Sequence, residues 1–318
     1  MVSAALRPIR ETEPDPRIGV PPALETMPRR TEIALRNVSV AYPCGRAGTK
    51  TVLSKVNIEI AAGEFVAVLG ETGCGKSTML RLILGEEFPT EGSIEVDSKP
   101  VTRIDARCGY VPQKYSLFPD RTVLGNVMYG PENARSRMIG RLRPSFFLFR
   151  CELRARAQAH LERMGLRTQD MAKYPHQLSG GMQQRVAIAQ ALLMHPPVLL
   201  MDEAFSALDP ATRSTLQEQL HAIWLETLPT VVFVTHNTAE ALILCTRLIL
   251  LGRHADGHPA RSNVLLNAEN PASHIPFARR AQSPEFHRIH DEVKQLAFES
   301  SSMFRNEGKL EARPAEVR

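Results

Sequence analysis

Residues 69–78 read Leu-Gly-Glu-Thr-Gly-Cys-Gly-Lys-Ser-Thr, a match to G-x-x-x-x-G-K-[ST] that constrains the fold more tightly than any other stretch of the chain. Each residue type in it answers a physical requirement. Glycines at 70, 73 and 75 let the backbone turn sharply and aim successive N–H groups inward as an anion nest, leaving Glu71, Thr72 and Cys74 at the positions open to other residues. Lys76 is expected to reach the β- and γ-phosphates of a nucleotide, and the Ser77 hydroxyl to bind Mg²⁺. Thr78 and the following Met-Leu-Arg-Leu-Ile-Leu predict a helix whose N-terminal dipole favours the phosphates. The apolar run Glu64 to Leu69 predicts a strand directly before the loop, and that context sets the motif apart from a chance glycine-rich turn.

A second acidic element complements the loop. Val198 to Met201 reads as a strand buried on both faces and ends in Asp202 and Glu203. An acid at the end of a central strand can reach the Mg²⁺ shell, the role expected of Asp202. Glu203 is then placed to orient and polarise the attacking water as a general base. Val-Asn-Ile-Glu-Ile and Gly-Ser-Ile-Glu-Val alternate like half-buried strands, whereas the runs ending at Gly70, Asp202 and His236 are continuously apolar. Helix-period segments lie between them, with Met182, Val186, Ala189 and Leu193 on one face and Leu216, Leu220 and Ile223 on another. Strands alternating with helices predict an α/β domain around a largely parallel sheet.

Composition narrows the classes without choosing among them. The 318 residues are 43% hydrophobic and 23% charged, as in a soluble globular protein, with net charge +5 and pI near 9.1. Five scattered cysteines without a C-x-x-C pair suggest neither a disulfide framework nor a zinc site, and a reducing setting is the simpler expectation. The longest apolar candidate for a membrane span is broken by Thr246 and Arg247. The start of the chain carries prolines and mixed charge where a signal peptide would be apolar.

Leu178 to Arg185, Leu-Ser-Gly-Gly-Met-Gln-Gln-Arg, resembles the signature motif of the ATP-binding-cassette (ABC) ATPases and opens a helix as that motif does. Other motifs follow the family's order: Gln113 matches the glutamine loop, Ser206 to Asp209 the D-loop, His236 the switch histidine, and Tyr42 the aromatic residue that stacks on adenine. The resemblance covers about residues 33 to 265. It implies a P-loop NTPase of ABC-ATPase type, with a largely parallel core sheet, an antiparallel β edge subdomain and an inserted helical subdomain. It also implies ATP and Mg²⁺ as cofactors. By the same resemblance Gln113 senses Mg²⁺, His236 contacts the γ-phosphate, and Asp209 joins the nucleotide site. Ser179, Gly180 and Gly181 form a helix-N-terminal anion site that serves the nucleotide of a second ATPase subunit in a two-fold dimer.

A single cassette without long heptads, a second cassette or fused membrane helices is similar to the free subunits of importers. The importer branch for nitrate, sulfonate and taurine is the nearest resemblance, with Ala204, Gln190 and Asn237 departing from its usual proline, arginine and aspartate. Membrane permease subunits and an extracytoplasmic solute-binding protein are then the expected partners, no nucleic acid is expected, and the place is the cytoplasmic face of the inner membrane. The alternative from another class is a soluble ABC ATPase that remodels a nucleic-acid or protein complex.

By organisation, residues 1–30 are expected to be a flexible proline-rich tail, residues 31–267 the ATPase domain with a helical insertion at about 115–184, and residues 268–318 an extension with one amphipathic helix. In that helix Ser283 is the expected N-cap, with Phe286, Ile289, Val293 and Leu296 on one side. Within the insertion, Arg135, Arg137, Arg141, Arg143, Arg150, Arg154 and Arg156 interleave with Phe146, Phe147 and Phe149. They form either a solvated helical face or a surface for anionic lipid or an acidic permease loop.

Overall fold

The computed structural model describes residues 30–44, 48–105, 107–114, 116–135, 144–253 and 262–310. The chain separates into two compact units, Met1–Asp105 with Val232–Arg318, and Ala106–Val231.

In the first unit, alternation of burial builds an antiparallel sheet. Strands β1 (Thr31–Cys44), β2 (Gly48–Ala61), β4 (Glu91–Val96) and β5 (Lys99–Pro100) pair in the order β2-β1-β4-β5. Val56, Ile58 and Ile60 of β2 are buried while Asn57 and Glu59 between them face solvent, the period of two expected from the sequence. Strand β3 (Phe65–Gly70) has no such alternation, because its residues 65–69 are all buried. It runs parallel to β9 (Arg247–Leu251), which is equally buried, and β10 (Val264–Glu269) closes that edge antiparallel to β9. The sequence places this strand at 64–69; it begins one residue later because the Glu64 carboxylate turns back to accept from Ala61 N at 3.1 Å and meets the buried Arg247 at 3.2 Å. Helix α1 (Lys76–Leu84) follows β3 and ends at Gly85, whose left-handed φ of 80° returns its N–H to the carbonyls of Arg81 and Leu82.

The second unit starts from β6 (Cys108–Val111), parallel to β7 (Val198–Asp202) with Val111 opposite Met201. Between these strands lie α2 (Val123–Arg135), α3 (Pro144–Arg163) and α4 (Gly180–Leu193), with no strand among the described residues there. Helix α4 packs against α2 and α3. Val186, Ala189 and Leu193 are buried on it as expected, but so are Gln184 and Ile188, so the covered surface is wider than the single stripe that the periodicity suggests. Helix α5 (Pro210–Thr227) buries Leu216, Leu220, Ile223 and Trp224. Strand β8 (Thr230–Val234) carries the chain back into the first unit.

The remaining elements belong to the first unit: α6 (Thr238–Leu244), the short α7 (Phe277–Arg280) and α8 (Pro284–Leu310). Ser283 begins α8 as expected, its Oγ accepting from Phe286 N at 3.2 Å, and Phe286, Ile289 and Val293 are buried. Arg280 anchors this extension from inside. Its guanidinium donates to Ser273 O at 2.7 Å, to Ile275 O at 3.2 Å and to Ile243 O, and burial lowers its pKa. Together these features are a P-loop NTPase fold of the ABC-ATPase kind, with a largely parallel core sheet, antiparallel edge strands and an inserted helical subdomain.

Candidate functional site

The sequence-predicted residues fall into two groups, one in each unit. In the first, β3 delivers the chain into the loop at Gly70, and α1 takes it out at Lys76. Gly73 and Gly75 hold φ values of 84° and 102°, where an L side chain is strained. A Cβ on Gly75 would also lie 2.6 Å from Leu53 Cδ2. Lys76 is 6% exposed, and its Nζ donates to Gly70 O at 2.7 Å and Glu71 O at 2.9 Å, so the ammonium is held inside the curve of the loop. Cys74 is buried, which pushes its thiol pKa up against the pull of Lys76. Ser77 in the first turn of α1 is exposed and Thr78 is buried. The loop thus curves around one ammonium held by two of its carbonyls, in keeping with the polyphosphate site that the motif predicts.

Tyr42, near the end of β1, donates its hydroxyl to Glu87 Oε2 at 2.5 Å and stands 36% exposed. Burial and then the Glu87 bond raise its pKa, with Thr78 and Arg81 acting in the opposite sense. The phenol is therefore tied to the neighbourhood of α1, leaving part of the ring open for a flat ligand. His236 lies just past β8, and Thr235 N donates to Val68 O at 3.2 Å, which sets this strand end beside β3 shortly before the loop. Asn237 caps α6, its Oδ1 accepting from Ala239 N at 3.0 Å and Glu240 N at 3.3 Å. The short amide does there what an aspartate would do at a helix N-terminus.

The second unit assembles the acid group. With Val111 opposite Met201, chain segments of equal length carry Gln113 and Glu203 past the ends of β6 and β7. They meet there, Gln113 Nε2 donating to Glu203 Oε2 at 3.0 Å. Glu203 adopts φ 45°, an uncommon conformation for a residue with a side chain, and its carbonyl accepts from Ser206 N at 3.0 Å as the chain turns. Asp202 ends β7 and is 7% exposed.

Ser179 caps α4, its Oγ accepting from Met182 N at 3.3 Å. Gly181 packs close to the next helix, since a Cβ there would lie 3.1 Å from Thr212 Cγ2. Asp209 caps α5 through Thr212 N at 3.0 Å, and that backbone bond holds its pKa below the usual carboxylate range. The structure thereby gives Asp209 a helix-capping duty beside the nucleotide role that the resemblance implies.

Three supporting residues carry no local sequence signal. Asn126 is fully buried in α2 and bonds both the amide and the carbonyl of Phe118. Asn263 and Arg253 reach the phosphate loop from the connection between β9 and β10. Of the arginine-rich stretch, Arg137, Arg141 and Arg143 lie outside the described residues. The described part is a helical face with Phe147 at 69% exposure, Arg150 paired to Glu132 at 2.8 Å and Arg135 over the Phe149 ring.

Comparison with known proteins decides the family. The family described as ABC transporter matches residues 53–206. The chain is 42% identical over 226 residues to the bicarbonate transport ATP-binding protein CmpD of Synechocystis sp., covering 70% of this chain and 76% of the relative. The chain belongs to the ABC transporter family. It is also 40% identical to the nitrate import ATP-binding protein NrtD of Synechococcus elongatus over 214 residues, 67% of this chain and 74% of that one. A solved structure of the ATP-binding cassette MJ0796, a dimer in a post-hydrolysis state bound to ADP and Pi, shares 35% identity at a TM-score of 0.60. It covers 69% of this chain and 93% of that one. As a member of the ABC transporter family the chain is an ATP-binding, ATP-hydrolysing protein.

The donors present also suit Mg²⁺. Among the described residues there is no group of three His, Cys, Asp or Glu side chains that could hold a metal alone. Mg²⁺ keeps several waters and takes one or two protein ligands together with substrate phosphates, and the Ser77 hydroxyl of the first unit and the Asp202 carboxylate of the second are each donors of the kind it accepts.

Proposed function

We propose that this chain is the ATP-hydrolysing subunit of an importer for a small solute, acting as a two-fold dimer beneath a membrane permease. The observation that carries the catalytic half is the Gln113–Glu203 hydrogen bond at 3.0 Å, formed where two parallel strands end. The amide fixes one carboxylate oxygen of Glu203 and so orients the carboxylate that accepts a proton from water attacking the γ-phosphate. Lys76 and the amides of Gly73 to Thr78 hold the phosphates, His236 contacts the γ-phosphate and helps to hold the attacking water, and Tyr42 stacks on the adenine. Ser77, Gln113 and Asp202 hold Mg²⁺, which when bound supplies neutralisation of the charge developing on the phosphoryl oxygens. Asp209 faces the nucleotide from its helix cap, and Ser179, Gly180 and Gly181 cap the phosphate held by a second copy of the chain.

In this reading, binding of two ATP molecules draws two cassettes together, and hydrolysis removes the phosphate bridges so that they part. The dimeric MJ0796 structure supports the arrangement by its likeness to this chain. No helix among the described residues is long and apolar enough to cross a membrane, which suits a peripheral subunit at the cytoplasmic face working through a separate permease. Relatives named for bicarbonate and nitrate support a small solute of the nitrate, sulfonate or taurine kind, delivered by an extracytoplasmic binding protein.

The experiment is ATP-dependent uptake in a strain that carries or lacks the gene, offered labelled nitrate, taurine and a small sulfonate. Loss of uptake of one of these solutes on deletion, restored by the parent and not by Glu203→Gln, supports the reading. Unchanged uptake of all three with loss of uptake of a cation or sugar would overturn the solute class while keeping the importer.

A further inference from the structure

The phosphate loop is gripped from outside by the chain that follows β9. Asn263, just before β10, is 4% exposed, and both ends of its amide are engaged. Its Oδ1 accepts from Ser54 N at 3.2 Å, while Nδ2 donates to Val52 O at 3.1 Å, Gly252 O at 3.3 Å and Cys74 O at 3.4 Å. Arg253, just past β9, donates from Nη2 to Thr72 O at 3.0 Å, and its Nε lies 3.3 Å from Glu71 Oε2. Two residues far along the sequence therefore hold two carbonyls of the loop, those of Thr72 and Cys74.

Peptide geometry turns this grip into a functional statement. The C=O and N–H of a trans peptide point in opposite directions, and the described chain has no cis peptide bonds. Drawing the Thr72 and Cys74 carbonyls toward Arg253 and Asn263 thus turns the N–H groups of Gly73 and Gly75 the other way. Those are alternate amides of the loop, the groups that an anion nest presents to phosphate. The torsions agree with a held loop, since Gly73 and Gly75 both sit in the left-handed region that only glycine enters without strain.

We infer that Asn263 and Arg253 are positioning residues for nucleotide binding, which orient the Gly73 and Gly75 amides without touching the nucleotide. The inference rests on the reading of the loop as the phosphate site. The two residues differ in kind. Asn263 also ties β2 to the end of β9, so its loss disturbs packing as well as the loop. Arg253 has a side chain 56% exposed, its ion pair with Glu71 is screened by water, and its bond to Thr72 O is the contact that matters.

The test measures binding of the non-hydrolysable analogue AMP-PNP with Mg²⁺ by calorimetry, kcat and KM for ATP, and thermal midpoints without nucleotide. The variants are Arg253→Ala, Arg253→Lys, Asn263→Leu and, as a reference, Lys76→Ala. Arg253→Ala is expected to raise the AMP-PNP Kd and the ATP KM by about tenfold, the worth of one well-placed hydrogen bond, with kcat within about twofold of the parent. Arg253→Lys, which keeps a donor, should recover most of that loss, and the midpoint of Arg253→Ala should match the parent's. Asn263→Leu should weaken AMP-PNP binding at least as much. Parent-like affinity in Arg253→Ala overturns the proposal, and so does a loss that only tracks a lowered midpoint. If Lys76→Ala also binds as the parent does, the phosphate-loop reading itself fails; if it alone loses binding, only the positioning role fails.

Discussion

Replacing Asn126 with leucine tests how the segment after Gln113 is held, and the structure fixes the size of the effect. Asn126 is 0% exposed, and its Oδ1 accepts from Phe118 N at 2.7 Å. Its Nδ2 donates to the carbonyls of Phe118, Arg121 and Thr122 at 3.1, 3.1 and 3.0 Å. Not all of these groups are orphaned by the change. Phe118 O still accepts from Arg121 N at 3.2 Å, and Thr122 O from Asn126 N at 2.9 Å. The Phe118 amide and the Arg121 carbonyl lose the bonds that Asn126 makes to them. Two such part-buried groups cost about 1–3 kcal/mol each, while leucine of similar volume adds little cavity cost. A loss of about 3 kcal/mol corresponds to a fall of roughly 4–5 °C in Tm for a chain of 318 residues, at about 2.1 cal/mol/K of unfolding entropy per residue. Thermal melts followed by circular dichroism measure it, and hydrogen exchange at the amides of 118–126 locates it. A midpoint within about 2 °C of the parent would refute the reasoning, because it would mean that the side-chain bonds are replaced by water at no cost.

Other outcomes follow from single contacts. His160 of α3 lies 5.7 Å, ring to ring, from His195, and burial, with His195, Arg163 and Arg156, lowers its pKa below 6.5. The unfolded chain therefore binds the extra proton first, so stability is flat above about pH 6.5 and falls as pH drops below it; His160→Gln should flatten that fall in urea titrations across pH 5 to 7. Gly75→Ala adds strain at φ 102° and a Cβ 2.6 Å from Leu53, so ATP affinity should drop by roughly tenfold or more, and adding Leu53→Ala should restore only part of it. Asp202→Asn, or chelation of Mg²⁺ in the parent, should reduce ATP turnover at least about a hundredfold in a phosphate-release assay.

What the sequence displays depends on how local the physics is. The phosphate loop is legible because its strain and charge lie within one turn of chain: glycines at 70, 73 and 75, a cation at 76 and an apolar strand before them. The run Val198 to Asp202 is legible for a similar reason, since continuous burial leaves an unbroken apolar run that stops at an acid. The Gln113–Glu203 contact is not, because it depends on the register that sets Val111 opposite Met201, and register is a property of two strands together. Asn263 is hidden further still. It reaches Cys74 from 189 positions away, and nothing around it marks it as other than a loop asparagine. Helix α4 shows the limit of periodicity, for it buries Gln184 and Ile188 outside the stripe that Met182 and Val186 suggest. Asp209 shows another limit: a residue before Pro-Ala-Thr caps a helix by its local chemistry, and that duty coexists with any other the family gives it.

Trapping the ATP-bound state shows whether ATP hydrolysis by this chain drives a membrane permease. Tagged Glu203→Gln, which should bind ATP without hydrolysing it, would be incubated with ATP and Mg²⁺ and purified from detergent-solubilised membranes of its own host. If hydrolysis drives a permease, a multi-helix membrane protein co-purifies in matching amount, in a complex holding two copies of the chain and two unhydrolysed ATP molecules. Recovery of a nucleic acid or a soluble complex with no membrane protein would contradict it.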